Sequence, residues 1–458
     1  MIVREQSLLC LAALTFIVGG VVGGGGTSAS FSMLTELLAC LLGTISLSGI
    51  IDGRFPRQAA PALALLGIAC LVPFLQIIPL PATTWDAWPG RAIPVQILRV
   101  AGLGSLSQPL SLTPEQTRLS ALSLIVPAAI FIGTLQLGAR NRDSLMMLIV
   151  LFALVSALLG MFQVAAGGGL NLGIYRQIHD GNAIGFFANR NHEADLLLVA
   201  IPLSAHLIQL QRWPQHLKAY LMAGAVVFFS ISVISTISRT GVSLLPVALS
   251  GAWVVWVGNI RDRKTWGGLA AFLVVAAAGL ALVELTPVGS HVYARFNGVG
   301  DDLRFSIWEG SWAAIKAFWP LGSGMGSFAP VFRMFEDLDT VNAYWVNHAH
   351  NDYLEILLET GLAGAVLLAI YPILILLALR LPMPMPFRRQ RYAAVVTLIV
   401  ILLHSMTDYP LRTFALISIF AFANGLLYPA RDMHRIRRSG SFPVVPAPDF
   451  APEHSHAA

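Results

Sequence analysis

The stretch whose reading decides the fold is His348-Ala349-His350-Asn351-Asp352-Tyr353-Leu354-Glu355-Ile356-Leu357-Leu358-Glu359-Thr360-Gly361-Leu362-Ala363-Gly364, which runs without a break into the apolar segment Ala365 to Leu379. The run is long and apolar enough to cross a membrane, with histidine at its wet end. At about 100° per residue, His350, Leu354, Leu357, Gly361 and Gly364 fall within roughly a third of a helix circumference, and Asp352, Glu355 and Glu359 fall opposite. The pattern predicts a face with a titratable group above two glycines, where a second helix packs closely. A helix N-terminus favours a neutral imidazole at His350, and Asp352 works against it. The three acids cannot face lipid, so they are expected to turn toward the bundle interior or water, pairing with cations or ordering the adjoining loop.

The rest of the chain agrees with a membrane setting. Hydrophobic residues make up 56% of the 458 positions and charged residues 12%, with a mean hydropathy of +0.71, outside the range of a soluble domain. The net charge of +5 does not indicate nucleic acid, because the basic residues lie in short loops between apolar runs. Cys10, Cys40 and Cys70 sit inside such runs without CxxC spacing, so neither a disulfide framework nor a zinc site follows. The start resembles a signal peptide, but a second span follows at once, so an uncleaved first helix is expected.

Twelve spans are expected, making an all-α polytopic membrane protein: Ser7 to Val22, Phe31 to Ile51, Ala59 to Leu80, Leu119 to Leu137, Ser144 to Ala165, Asp195 to Leu210, Leu217 to Ile237, Gly241 to Gly258, Trp266 to Leu285, Asn351 to Leu379, Tyr392 to Thr407 and Thr413 to Tyr428. With the N-terminus cytoplasmic, 18 of the 29 Lys and Arg fall in cytoplasmic segments, although the outer segments are longer, so both termini are assigned to the cytoplasm. The membrane domain is read as residues 1–430, with a long outer loop at 286–350. The tail 431–458, basic and then rich in Pro, Ala and His, is expected to be disordered.

The residues that carry chemistry then gather at the outer face. In the long loop, residues 304–319 read as an interfacial helix with Arg304, Trp308, Trp312, Ile315 and Trp319 on one stripe, ended by Pro320. The glycines of Gly322-Ser-Gly324-Met-Gly326 follow no strand and open no βαβ unit, which argues against a nucleotide loop.

At this point a resemblance becomes specific. His350-Asn351, nine residues, Gly361, two residues and Gly364 resemble the His-[Asn/Ser/Gln]-x9-Gly-x2-Gly pattern of the bacterial O-antigen ligases. Gly185 with Asn189-Arg190-Asn191 resembles that family's turn ahead of a span, Ser238-Arg239-Thr240-Gly241 its Ser-Arg-Thr turn, and Arg304 with Trp308 and Pro320 to Phe328 its large periplasmic loop. The similarity covers roughly residues 185–364. It implies a bacterial inner-membrane glycosyltransferase that moves a glycan from undecaprenyl pyrophosphate to an acceptor hydroxyl on a glycolipid, glycan or protein at the periplasmic face, with no metal and no cofactor.

Such a transfer needs a base for the hydroxyl proton and fixed positive charge for the leaving pyrophosphate. His350 is the candidate base. Arg239 and Arg304 are the candidate phosphate clamp, with Arg190, Asn189 and Asn191 as further substrate contacts. His348, Asn351, Asp352, Glu359, Gly361 and Gly364 are read as supporting residues. Each has a plainer alternative: His350 as a hydrogen-bonded interface residue, His348 as an exposed loop residue, Arg239 as a cation that snorkels outward, Arg304 as a lipid-headgroup contact. His348, His350 and Asp352 are too close on one helix start to converge on a metal. His404 and Asp408, one helical turn apart, fit either the acceptor side or a capping or hinge role.

Ligase is preferred over a repeat-unit polymerase or a protein O-oligosaccharyltransferase because the histidine motif matches in full. A transporter or flippase is the alternative from another class. It is disfavoured because the charges gather at one face rather than at the bilayer midplane.

Overall fold

A computed structural model describes residues 2–25, 29–167, 175, 182–259, 263, 266–268, 270, 303–337, 346–385 and 387–430. The long helices are α1 (Ile2–Val22), α2 (Ala29–Ile51) and α3 (Ala60–Gln76), then, after the short α4 (Ala82–Asp86) and α5 (Ala92–Val100), α6 (Pro114–Ser123), α7 (Ile125–Gln136), α8 (Ala139–Ala165), α9 (Arg190–Leu210), α10 (Gln215–Ser235) and α11 (Arg239–Val257). The outer loop contributes α12 (Arg304–Phe318) and α13 (Phe328–Phe332), followed by α14 (Asp352–Arg380), α15 (Phe387–His404) and α16 (Phe414–Leu426). The described sheet is a two-residue antiparallel pair, Pro79–Leu80 with Gln108–Pro109.

Among the described residues, nine helices are long and apolar enough to cross a membrane. They agree with the expected spans except in detail. The span expected from Leu119 starts at Pro114 and is interrupted at Leu124, and the one expected from Asp195 begins at Arg190. The two last expected spans are α15 and the 13-residue α16, neither of which is among the nine. The span expected at Trp266 to Leu285 lies almost wholly outside the described residues, as do the tail and much of the 286–350 loop.

The bundle is organised around α9, which packs on α8, α10, α11 and α15. Its residues Asn191 to Leu207 are all buried, apolar for the most part but with His192, Glu193, Asp195 and His206 among them, and a helix buried all round belongs in the middle of a bundle. At one end, Glu5 accepts from Gly138 N and Asn141 Nδ2 (both 2.9 Å), Arg142 donates to Tyr428 O (2.8 Å), and Asp143 Oδ1 meets Gln390 Nε2 (2.8 Å) and His206 Nε2 (2.9 Å). At the other end, Ala188 N donates to Gly24 O and Ala415 N to Gly23 O. The starts of α9, α11 and α14 and the turn between α15 and α16 meet at this second end.

The outer segments form a small core of their own. Ile307, Ala314, Ile315, Phe318, Phe328, Val331, Phe332, Ala349 and Leu358 pack together, so α12 lies on the first turns of α14. The buried face of α12 is Ile307, Gly310, Ser311, Ala314, Ile315 and Phe318, and of the expected stripe Trp312 and Trp319 are exposed. Arg91 ties the hairpin after α3 to the same layer. It is buried between Trp85 and Phe318, each ring centroid 5.4 Å away, and donates to Leu110 O at 2.6 Å. Burial pushes its guanidinium down to about 10.

One correction concerns Gly361 and Gly364, which do not serve helix packing. Gly361 (φ 57, ψ −132) breaks α14 into two segments. A Cβ there would lie 2.1 Å from Pro320 O, while Leu362 N donates to that same carbonyl at 2.8 Å. A Cβ on Gly364 would meet its own helix at Thr360. Replacing Gly361 by Ala forces both a disfavoured backbone conformation and a clash with the outer loop. We expect a loss of roughly 1–3 kcal/mol from the backbone alone, measured as a lower thermal midpoint of the purified protein in detergent; an unchanged midpoint would contradict the kink.

Candidate active site

The site is built from three helix caps and one turn. Asn189 caps α9, accepting from Asn191 N at 2.9 Å. Ser238 caps α11, its Oγ accepting from Gly241 N at 3.1 Å. Asn351 caps α14, accepting from Tyr353 N (3.0 Å) and Leu354 N (3.1 Å). Asn and Ser are favoured at this position because a short side chain can satisfy the free N–H groups of the first turn. Here the caps also bind across the bundle. Ser238 Oγ donates to Asn191 Oδ1 (2.7 Å), and Asn351 Nδ2 donates to Met406 O (2.9 Å).

The caps converge on Asp408, in the turn between α15 and α16. Its Oδ2 accepts from Asn191 Nδ2 (2.5 Å) and Asn189 Nδ2 (3.1 Å). Its Oδ1 accepts from Tyr409 N (3.0 Å) and lies 3.0 Å from His350 Nδ1. Burial alone would raise the Asp408 carboxyl, but the hydrogen bond from His350 and the charges of His350, His192 and Arg304 hold it well below the usual carboxylate range. An ionised carboxylate only accepts, so His350 Nδ1 carries the proton between the two. Asp408 is fully buried while the His350 side chain is 28% exposed, so the network reaches the surface through the imidazole.

The placement of His350 differs from the expected helical face. It precedes the cap Asn351 and has φ 48, so it lies off the helix, apart from Gly361 and Gly364. Its orienting carboxylate is Asp408 rather than Asp352. A left-handed backbone at a non-glycine residue is uncommon and persists where its surroundings over-determine it.

The expectation for the acids of α14 holds. Asp352, Glu355 and Glu359 are buried and face Arg412, at 3.8, 3.5 and 3.0 Å respectively. Burial works against the charge of Arg412, but Glu355, Glu359 and Asp352 raise its pKa above the ordinary guanidinium value. Each acid also fastens a different segment. Asp352 Oδ2 accepts from Ser405 Oγ (2.9 Å), Glu355 Oε2 from Ala349 N (3.0 Å), and Glu359 Oε1 from Gly326 N (2.8 Å). Glu355 Oε1 is 2.9 Å from His348 Nδ1.

The three candidate arginines each open a helix at this end. Arg239 follows the Ser238 cap, and its neighbour Thr240 meets Thr407 at 2.9 Å, one residue before Asp408. Arg304 opens α12, where Trp308 donates to Ala349 O at 3.1 Å, and its charge bears on Asp408. Arg190 opens α9 and donates to Asn182 Oδ1 at 3.1 Å. Tyr409, Arg412 and the central role of Asp408 are not evident from the motifs. The signal for them was charge packed into the five-residue turn Asp408-Tyr-Pro-Leu-Arg412 between two spans.

Asp408 links the site to pH. A carboxyl depressed in the folded state stabilises it fully above the ordinary carboxylate pKa, about 3.9, and that contribution is lost as pH falls through the lower folded value. Thermal stability of the wild type in detergent is therefore expected to hold through weakly acidic pH and to fall below about pH 4. Asp408→Asn, which sets an amide against at least one donor, is expected to be less stable at neutral pH by roughly 1–3 kcal/mol and to lose part of that acid dependence. Identical pH profiles for the two proteins would refute the role of the carboxylate.

No curated protein matches the chain. Residues 223–369 match the family model described as O-Antigen ligase. The matched region holds Ser238 to Gly241, Arg304 and His348 to Gly364, while Asn189, Asn191 and Asp408 lie outside it. The match places the region that carries His350, Arg239 and Arg304 in the O-antigen ligase family.

Proposed function

We propose that this chain is a membrane glycosyltransferase of the O-antigen ligase kind, moving a glycan from undecaprenyl pyrophosphate to an acceptor hydroxyl such as that of lipopolysaccharide core. The observation that carries the reading is the His350–Asp408 pair at the mouth of the bundle, with a buried carboxylate behind a partly exposed imidazole. His350 Nε2 takes the acceptor proton as the hydroxyl attacks the anomeric carbon, and Asp408 stabilises the imidazolium that forms. Arg239 and Arg304 hold the pyrophosphate as its charge grows, through forked contacts suited to phosphate. One direct displacement inverts the anomeric configuration. The site faces the periplasm of the bacterial inner membrane with both termini cytoplasmic, supported by the distribution of Lys and Arg.

The test is transfer of labelled glycan from undecaprenyl pyrophosphate in liposomes, with candidate acceptors supplied in turn. His350→Ala is expected to lose at least about 100-fold in rate while still binding donor. Chain lengthening on the lipid carrier would reassign the protein to the polymerases, and transfer to a protein hydroxyl would make it an oligosaccharyltransferase. Undiminished transfer by the variant would remove His350 as base.

A further inference from the structure

A second histidine–carboxylate pair stands beside the first, and the proposed function leaves it unused. His348 Nδ1 lies 2.9 Å from Glu355 Oε1. Glu355 is almost fully buried, whereas the His348 side chain is 26% exposed, close to the exposure of His350. The two imidazoles share one aromatic partner. His348 stacks on Tyr409 at 4.2 Å between centroids with a 32° tilt, and His350 meets the same ring at 5.0 Å and 66°. Each ring thus has its Nδ1 on a buried carboxylate, with Nε2 left as its second nitrogen.

A displacement at an anomeric carbon moves protons at two places, the entering hydroxyl and the departing phosphate oxygen, and paired titratable groups in unlike surroundings divide such roles. The surroundings here are unlike. Asp408 is shared among His350, two asparagines and a backbone N–H. Glu355 serves His348, Ala349 N and, at 3.5 Å, Arg412. The groups facing His348 are Glu355 from α14, which Arg412 also approaches, Tyr409 from the turn, His192 from α9 and His350 two residues on.

We propose that His348 is the general acid of the transfer, an assignment that rests on the ligase reading above. The acceptor oxygen forms its bond to the anomeric carbon, and the bond from that carbon to the phosphate oxygen breaks with its electron pair passing to the oxygen. The acceptor proton goes to His350 Nε2, and the departing phosphate oxygen receives the proton of His348 Nε2. Exchange with water then returns a proton to His348 and removes one from His350. Glu355 is a positioning residue that holds the imidazolium.

The test is the pH dependence of transfer by the full-length chain in liposomes. The wild type is expected to give a bell-shaped profile, with the acid limb set by the base and the alkaline limb by His348. His348→Gln is expected to be slower on the order of 100-fold and to lose the alkaline limb while keeping the acid limb and donor binding. Glu355→Gln, which leaves His348 in place, is expected to move the alkaline limb to lower pH. A wild-type rate that levels off without falling at high pH overturns the acid, whatever the variants do. So does a His348→Gln variant with an intact alkaline limb, the mark of a purely structural histidine. Wild-type protein that transfers nothing overturns the ligase reading and this assignment with it; active wild type with an unaltered variant profile overturns the acid alone.

Discussion

The site depends on one buried carboxylate being fully occupied. Asp408 accepts from four donors brought by three parts of the chain: the α9 cap region, the segment before α14 and its own turn. A carboxylate offers about four acceptor directions, so none is left over. That saturation lets an ionised group sit without solvent contact at the end of a helical bundle, where an unpaired charge would instead be neutralised or expelled. It also fixes the tautomer of His350. With every lone pair of Asp408 taken as an acceptor, the imidazole is held with its proton on Nδ1.

Arg412 extends the same logic one helical turn along. The turn between α15 and α16 carries both Asp408 and Arg412, so one short segment supplies the anion that orients His350 and the cation that gathers Asp352, Glu355 and Glu359. Glu359 in turn holds Gly326 N and Phe328 N of the outer loop, and its backbone carbonyl accepts from Gln76 Nε2 at 2.8 Å. The outer hairpin, the outer loop, α14 and the turn are thus connected by polar contacts at a depth where unsatisfied polar groups are costly.

The sequence made the spans legible because apolarity over about twenty residues is a requirement of the bilayer itself. The break at Ser238 was legible through the resemblance of Ser238-Arg239-Thr240-Gly241 to a family turn, and the structure shows why it breaks there, with Ser238 capping α11. Other features were out of reach. In a bilayer the lipid-facing and core-facing sides of a helix are both apolar, so periodicity does not say which side is buried. His350 was placed on the helix because its spacing to Gly361 fits helical period, yet the Asn351 cap begins the helix just after it. Asp408 lies 58 positions from His350, and no local pattern relates the two.

The acids of α14 explain why the imidazoles can be held so closely. Asp352, Glu355 and Glu359 stand at i, i+3 and i+7 on one side of a helix, and the first two lie in the opening turn, where the helix dipole favours negative charge. Each reaches a different segment, so the loop with His348, the turn with Asp408 and the outer loop are all referred to one rigid element. That element ends at the Gly361 kink, beyond which α14 continues to Arg380 through mostly apolar residues. Two histidines on a free loop would have to be ordered at each turnover. Histidines fastened to two turns of helix between a cap and a kink are ordered beforehand, which is what electrostatic stabilisation of a transition state requires.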